Sequence, residues 1–307
     1  MILGDENGEI LDAISENVDI TKGVQGILAW IKWKAPLLFD AAKVEGGTVH
    51  GVGAGFGGLV ESASGRVLLS VQVRGWENIN LKSWLEEQFG LPTIVANDTV
   101  CGGFCEYCLG AGQGCDVFFY TNIGSGIGGS LFIDGKNYDG QGCGAAYFGH
   151  TYIPNPFPNK DRSAEPVKIE NICSGWAIEQ RLRQEGYVPK SSYLYKLRRG
   201  NCSQLTCKDL HSAVEAGDAF ANAEIELAAK SFGIGLANLL TMFHPRRISI
   251  GGGVAHLGSR LLAPMECYAR EYAFGPCKRG FDIVQCRYVD MAVPIGAVLM
   301  AARNTVM

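Results

Sequence analysis

Two glycine-rich turns, each directly after an apolar run, leave few architectures open to this chain. In the first, NIGSGIGGSLFIDG (122–135), Gly124, Gly126, Gly128 and Gly129 crowd between Val117–Tyr120 and Leu131–Ile133. In the second, ISIGGGVAHLGSRL, Gly251, Gly252 and Gly253 separate a buried-strand pattern from a helical one. Short apolar runs bounded by turns and alternating with helical periodicity read as an α/β chain. Glycine lets backbone N–H groups approach an anion with no side chain in the way. One such turn is more often a tight hairpin that needs positive φ. Two of them, far apart in sequence, suit the two ends of a nucleotide. GxxxxGK[ST] is absent, so the chain has no P-loop. GAGFGG (53–58) lies between a strand and a polar turn rather than before a helix, which argues against a dinucleotide site of the Rossmann type.

The remaining pattern fills in around these turns. Glu6-Asn7-Gly8 reads as a hairpin turn, and a helix runs through Ile27 and Ile31. Residues 48–60 form a glycine-interrupted strand, 82–89 a helix, 92–96 a short buried strand, and a helix follows Asp98. Residues 151–168 are proline-rich and polar, hence a loop. Ser174 can cap a helix running to Glu185. The longest helical pattern, 218–243, stops at His244-Pro245 because proline cannot continue a helix. A helix over 259–272, a strand over 282–289 and a helix over 294–303 complete the chain.

At 307 residues and 47% hydrophobic content, the chain can build two domains of ordinary size. It has no apolar run of about 18 residues, so no membrane span is expected. MILGDENGEI lacks the basic start of a signal peptide, which predicts a cytoplasmic protein. The formal charge is −4 with scattered basic residues, of which Lys196, Arg198 and Arg199 are the densest run. That distribution excludes nucleic-acid binding by a broad basic patch. Eleven cysteines without a secretory signal suggest reduced thiols. The i, i+4, i+7 spacing of Cys101, Cys105 and Cys108 could serve a metal, but it also puts three small apolar side chains on one buried helix face.

Three candidates could carry acid–base or sugar chemistry. LPTIVANDTV ends a buried strand in Asn97-Asp98, where a carboxylate could take a proton from a hydroxyl attacking a phosphoryl group. Read alone, the pair is better explained by an Asx turn capping the next helix. His150, in AYFGHTYIPN, and Glu170, in KIENICSGWAI, can both hydrogen-bond sugar hydroxyls. Read alone, they are a loop histidine and a surface charge near a helix start.

Together these pieces resemble the ROK family (repressors, open reading frames and sugar kinases) of the sugar kinase/Hsp70/actin superfamily. GAGFGGLVESASGRVLLSVQVRGWENINLKSWLEEQFGLPTIVANDT is similar to the family's sugar-domain stretch. IGSGIGGSLFIDGKNYDGQGCGAAYFGH is similar to its signature, which usually reads GTGIGxG and closes in AGExGH. ISIGGGVAHLGSRLL resembles its adenosine turn and VPIGAVLMA its last helix. The resemblance implies a two-domain actin-like ATPase (ribonuclease H-like) α/β fold, with mixed sheets flanked by helices and a cleft between domains. Residues 1–98 plus about 291–307 would form the smaller domain and 99–290 the larger.

The activity implied is ATP-dependent phosphorylation of a hexose or hexose derivative, with Mg²⁺ accompanying ATP. The alternative is a catalytically impaired ROK protein that binds sugar without phosphorylating it. Asp98 would be the general base. Asn97, Gly58, His150, Glu170 and Tyr147 would line the sugar site. Gly124, Ser125 and Gly126 would approach the ATP phosphates, while Gly252 and Gly253 would lie along the nucleoside. The implied partners are a small-molecule sugar and further copies of the chain, as a homodimer or higher homo-oligomer, with neither nucleic acid nor membrane.

Three departures from the family pattern bear on this. The zinc motif CxCGxxGCxE is missing, with VKIE where GCxE would end, so no structural zinc and no metal ligand is expected. Tyr147 replaces the glutamate of AGExGH, and a phenol donates as well as accepts hydrogen bonds. The family opens with a strand ending in DxGGT, and MILGDENGEIL resembles the strand after it. The expectation is an apolar groove where that strand would lie. Phosphate transfer should then be poor in the chain as written, unless the true start lies upstream of Met1.

Overall fold

The computed structural model describes residues 1–17, 19–70, 73–77, 79–157 and 165–306. In chain order the elements are β1 (Ile2–Gly4), β2 (Ile10–Ala13), α1 (Gly23–Val44), β3 (Val52–Phe56), β4 (Gly58–Glu61), β5 (Arg66–Ser70), α2 (Leu81–Phe89), β6 (Thr93–Asn97) and α3 (Asp98–Leu109). They continue with β7 (Val117–Ile123), β8 (Ile127–Ile133), β9 (Lys136–Asn137), β10 (Tyr152–Ile153), β11 (Val167–Lys168), α4 (Glu170–Cys173), α5 (Gly175–Leu182) and α6 (Tyr193–Leu197). The last are α7 (Cys207–Glu215), α8 (Ala219–Phe243), β12 (Arg247–Gly251), α9 (Ser259–Tyr272), β13 (Asp282–Gln285) and α10 (Ala292–Val306). The chain divides into two compact units. The first is Met1–Gln113, Ser130–Ala146 and Asp290–Met307; the second is Gly114–Gly129 and Tyr147–Val289.

The first unit contains three two-stranded sheets. β1 pairs antiparallel with β2, β3 parallel with β6, and β4 antiparallel with β5. The glycine-interrupted strand expected over 48–60 is therefore two strands, β3 and β4, that belong to different sheets. A core of Val24, Leu28, Phe56, Val60, Val67, Trp76, Leu85 and Val95 joins α1 and α2 to these strands. Phe56 meets Trp76 edge to face at 4.9 Å, a favoured aromatic geometry. The division expected at residue 98 would have given α3 and residues 130–146 to the larger domain, but they lie in the first unit. The reason is packing: α3 runs along α10 so closely that a Cβ at Gly296 would overlap the Cys101 carbonyl. Cys101 and Cys105 are buried, and burial pushes the Cys101 thiol up to about 12.

A cavity of about 1590 Å³ opens in this unit. β1 and β3 both line it, with Leu38 and Ala42 of α1 and Ala297 and Ala301 of α10. Among the described residues, no strand lies between β1 and β3. A space this large exceeds the roughly 300–1,000 Å³ of an ordinary ligand pocket.

The second unit is built on parallel strands in the order β13-β12-β7, beside which the first residues of β8 run. The second half of β8 belongs to the first unit, where it pairs with β9. Phe118, Phe119, Ile248 and Ile250 are fully buried, as expected of parallel strands covered on both faces. α8 and α9 pack together, and Phe148 reaches both Phe119 and Phe232 at ring distances of 5.7 and 4.9 Å. α8 starts where Asp218 accepts the Ala221 N–H at 2.7 Å. It ends at His244, which takes a left-handed turn (φ 43°) before Pro245.

Smaller differences from expectation lie at the ends of elements. α5 stops at Leu182, with an Arg183 cap, short of Glu185. β13 stops at Gln285, short of 289. In the loop expected over 151–168, β10 and β11 pair antiparallel, and part of the segment between them lies outside the described residues.

Candidate functional site

The first unit holds Gly58, Asn97 and Asp98 at the end of β6. Asn97 is the N-cap of α3: its Oδ1 accepts the Thr99 and Val100 N–H groups at 2.9 and 3.3 Å. Its Nδ2 donates to the Gly58 carbonyl at 2.9 Å, which leaves one amide hydrogen free. A Cβ at Gly58 would strike the Leu69 carbonyl, so β4 comes this close only with glycine there. The Asx-cap reading is thus correct for Asn97, and the cap fixes where Asp98 begins the helix.

Asp98 is held by Thr99, whose N–H donates to Oδ1 at 2.7 Å and whose hydroxyl donates at 3.3 Å. Oδ2 has no partner among the described residues. Burial raises the Asp98 pKa from its ordinary value, outweighing the Thr99 hydrogen bonds that would lower it. A carboxylate with one oxygen anchored, one free, and a raised affinity for protons is suited to act as a general base.

The second unit holds the other candidates at the carboxyl ends of β7 and β12. These strands are parallel neighbours, and Gly251 pairs with Asn122. Their glycine turns therefore lie side by side, where parallel sheets ordinarily bind ligands. Gly252 has φ +82°, and a Cβ there would come within 2.6 Å of the Ile123 backbone. At Gly253 a Cβ would meet nothing within 4 Å, so this backbone faces open space.

The turn after β7 is oriented by α5. The Gly175 N–H donates to the Gly124 carbonyl at 2.8 Å, and the Trp176 N–H to the Ser125 carbonyl at 3.4 Å. In a trans peptide the N–H points opposite to its C=O. With both carbonyls turned toward α5, the N–H groups of Ser125 and Gly126 point away from it, and neither has a partner among the described residues. Two adjacent free amides in a turn can together hold an anion. Sequence reasoning found the glycines and the helix capped by Ser174 but missed that α5 holds the turn, and the signal available was Gly175, where a Cβ would come within 2.8 Å of the Gly124 carbonyl.

Tyr147, His150 and Glu170 gather beside this turn. Tyr147 opens the tight turn Phe148–His150, with the His150 N–H donating to its carbonyl at 3.0 Å. β10 and β11 pair Tyr152 with Lys168, and the Ile169 N–H donates to the Thr151 carbonyl at 3.0 Å. His150 is exposed and its Nδ1 lies 3.3 Å from Lys168 Nζ. Glu170 Oε2 accepts the Ile127 N–H at 2.8 Å. Gly149 packs so tightly on the Ile127 carbonyl that a Cβ there would overlap it. Residue 127, directly after the glycine turn, thus touches both the His150 turn and Glu170.

The family model described as ROK family matches residues 1–304. The chain belongs to the ROK family. A glucokinase of Halalkalibacterium halodurans is 31% identical over 223 residues, covering 73% of this chain and 67% of that protein. A xylose repressor of Caldicellulosiruptor bescii is 26% identical, and the match covers 82% of this chain but only 62% of the repressor. Among solved structures, a ROK family glucokinase from Streptomyces griseus in complex with glucose and AMPPNP superposes with a TM-score of 0.80 at 28% identity, over 97% of this chain and 94% of that one. The fold is accordingly the actin-like ATPase fold of ROK sugar kinases. Among the described residues, no helix is long and apolar enough to cross a membrane, and no group of three or more His, Cys, Asp or Glu side chains could hold a metal ion.

Proposed function

We propose that this ROK protein is an ATP-dependent kinase of a hexose or hexose derivative. The observation that carries the reading is the pair of free N–H groups at Ser125 and Gly126, presented at the carboxyl end of β7 beside the open backbone of Gly253. That pair suits the phosphates of ATP, with Gly252 and Gly253 along the nucleoside. The glucokinase relatives, one of them solved with glucose and AMPPNP, support the same assignment.

In this reading Asn97, His150, Glu170, Tyr147 and Gly58 orient the sugar. Asp98 takes the proton of the attacking hydroxyl at its free Oδ2 as that oxygen bonds to the γ-phosphorus and ADP departs. Mg²⁺ accompanies ATP and neutralises phosphate charge. The reading assigns no structural zinc, and Cys173, which is buried and directs its thiol to the Ala228 carbonyl at 3.5 Å, supports that. The test is sugar-dependent ADP release with glucose and Mg·ATP, beside Asp98→Asn. Equal turnover by parent and variant would end the assignment of Asp98.

A second reading, sugar binding without phosphate transfer, is favoured by the cavity between β1 and β3. Among the described residues, β1 and β3 of the unit that carries Asp98 are not joined in one sheet, and phosphoryl transfer depends almost wholly on positioning. Glucose binding without ADP release would select it.

A further inference from the structure

We propose that Glu170 is the positioning residue of the glycine turn, an inference that rests on the nucleotide reading above. Three peptide planes make up the turn. The first two are fixed at their carbonyls by the N–H groups of Gly175 and Trp176. The third, between Gly126 and Ile127, is fixed at both ends. Its carbonyl accepts the Gly124 N–H at 3.0 Å, which closes the turn on itself. Its N–H donates to Glu170 Oε2 at 2.8 Å.

Glu170 therefore holds the plane whose carbonyl keeps the turn closed. Glycine lies on one side of that plane, so without the carboxylate only the Gly124 hydrogen bond and the start of β8 would hold it. The fit is close on this side as well: a Cβ at Gly126 would lie 2.8 Å from Glu170 Oε2. A side chain at 126 would thus displace the Glu170 carboxylate from its place.

The carboxylate has two opposed effects on an anion held by the turn. Its hydrogen bond keeps the turn in shape, while its negative charge repels phosphate. Glutamine separates the two effects, because its amide oxygen accepts the same N–H and carries no charge. A side chain that served the sugar alone would show neither effect on nucleotide binding.

The experiment measures Mg·ADP affinity by calorimetry and hydrogen exchange of amides 124–128 in nucleotide-free protein, for the parent, Glu170→Ala, Glu170→Gln and Gly126→Ala. Loss of a hydrogen bond to a charged group should weaken Mg·ADP binding about tenfold or more in Glu170→Ala and speed exchange of the turn to a similar degree. Glu170→Gln should bind at least as tightly as the parent and exchange at the parent rate. Gly126→Ala, which displaces the carboxylate, should behave like Glu170→Ala and stands in for it if that variant does not fold. Parent-like exchange in both Glu170→Ala and Gly126→Ala would overturn the inference. If even the parent fails to bind Mg·ADP, the nucleotide reading falls, while the exchange contrast still decides what Glu170 does.

Discussion

At the scale of single residues, Asp98 combines two demands that pull in opposite directions. Burial raises its pKa, so the folded protein binds that proton more tightly than the unfolded chain does. The stability it contributes is fully present below the unfolded value, near 3.9, and is lost as pH rises through the folded value. At neutral pH the ionised, partly desolvated carboxylate is a cost to folding. Asp98→Asn should therefore melt at a higher temperature than the parent at pH 7, and the difference should vanish as the pH falls below about 4. The same variant should lose about 10²–10⁴-fold in turnover, the ordinary contribution of a general base. In the parent, activity should climb with pH through the raised Asp98 value and then level off. An acidic limb at the ordinary aspartate value would show that another group controls it.

At the scale of elements, much of the fold is legible in the pattern, and the failures have identifiable causes. Helices with strong boundaries are placed to within a residue or two: α2 by Asn80 and Gly90, α8 by Asp218 and Pro245. α7 goes unpredicted although Thr206 and Asp209 form a reciprocal capping box, a signal present in the sequence as TCKD. Which strands pair cannot be read from periodicity, so β3 and β4 look like one strand. The glycine turns are legible because glycine is chemically distinctive. The role of α5 is not, since it depends on two backbone amides and leaves only Gly175 as its trace in the sequence. Glu170 is legible as a polar residue before a helix, but its partner lies 43 positions away. The coupling of β7 to β12 predicts that Gly252→Ala will be costly. Its Cβ would press on the Ile123 backbone at a positive φ, and strain of that kind costs about 1–3 kcal/mol. A urea melt showing no loss of stability would mean that the turn can reshape freely.

At the scale of the whole molecule, the missing cysteine motif bears on what the purified protein should contain. Elemental analysis should find no stoichiometric zinc, and one zinc per chain would send attention to Cys143 and Cys173. The opening between β1 and β3 bears on something different, the behaviour of the protein in a concentrated solution. Among the described residues, each of these strands has a partner strand on one edge only, and Gly55 of β3 is exposed. Bare edges are templates on which another molecule can add its own strands. Molecules that meet in this way form assemblies at a rate set by encounters, second order in protein rather than first. Light scattering should therefore rise more steeply than in proportion to concentration, while dilute samples stay clear. Scattering strictly proportional to concentration would mean that these edges are sheltered from one another.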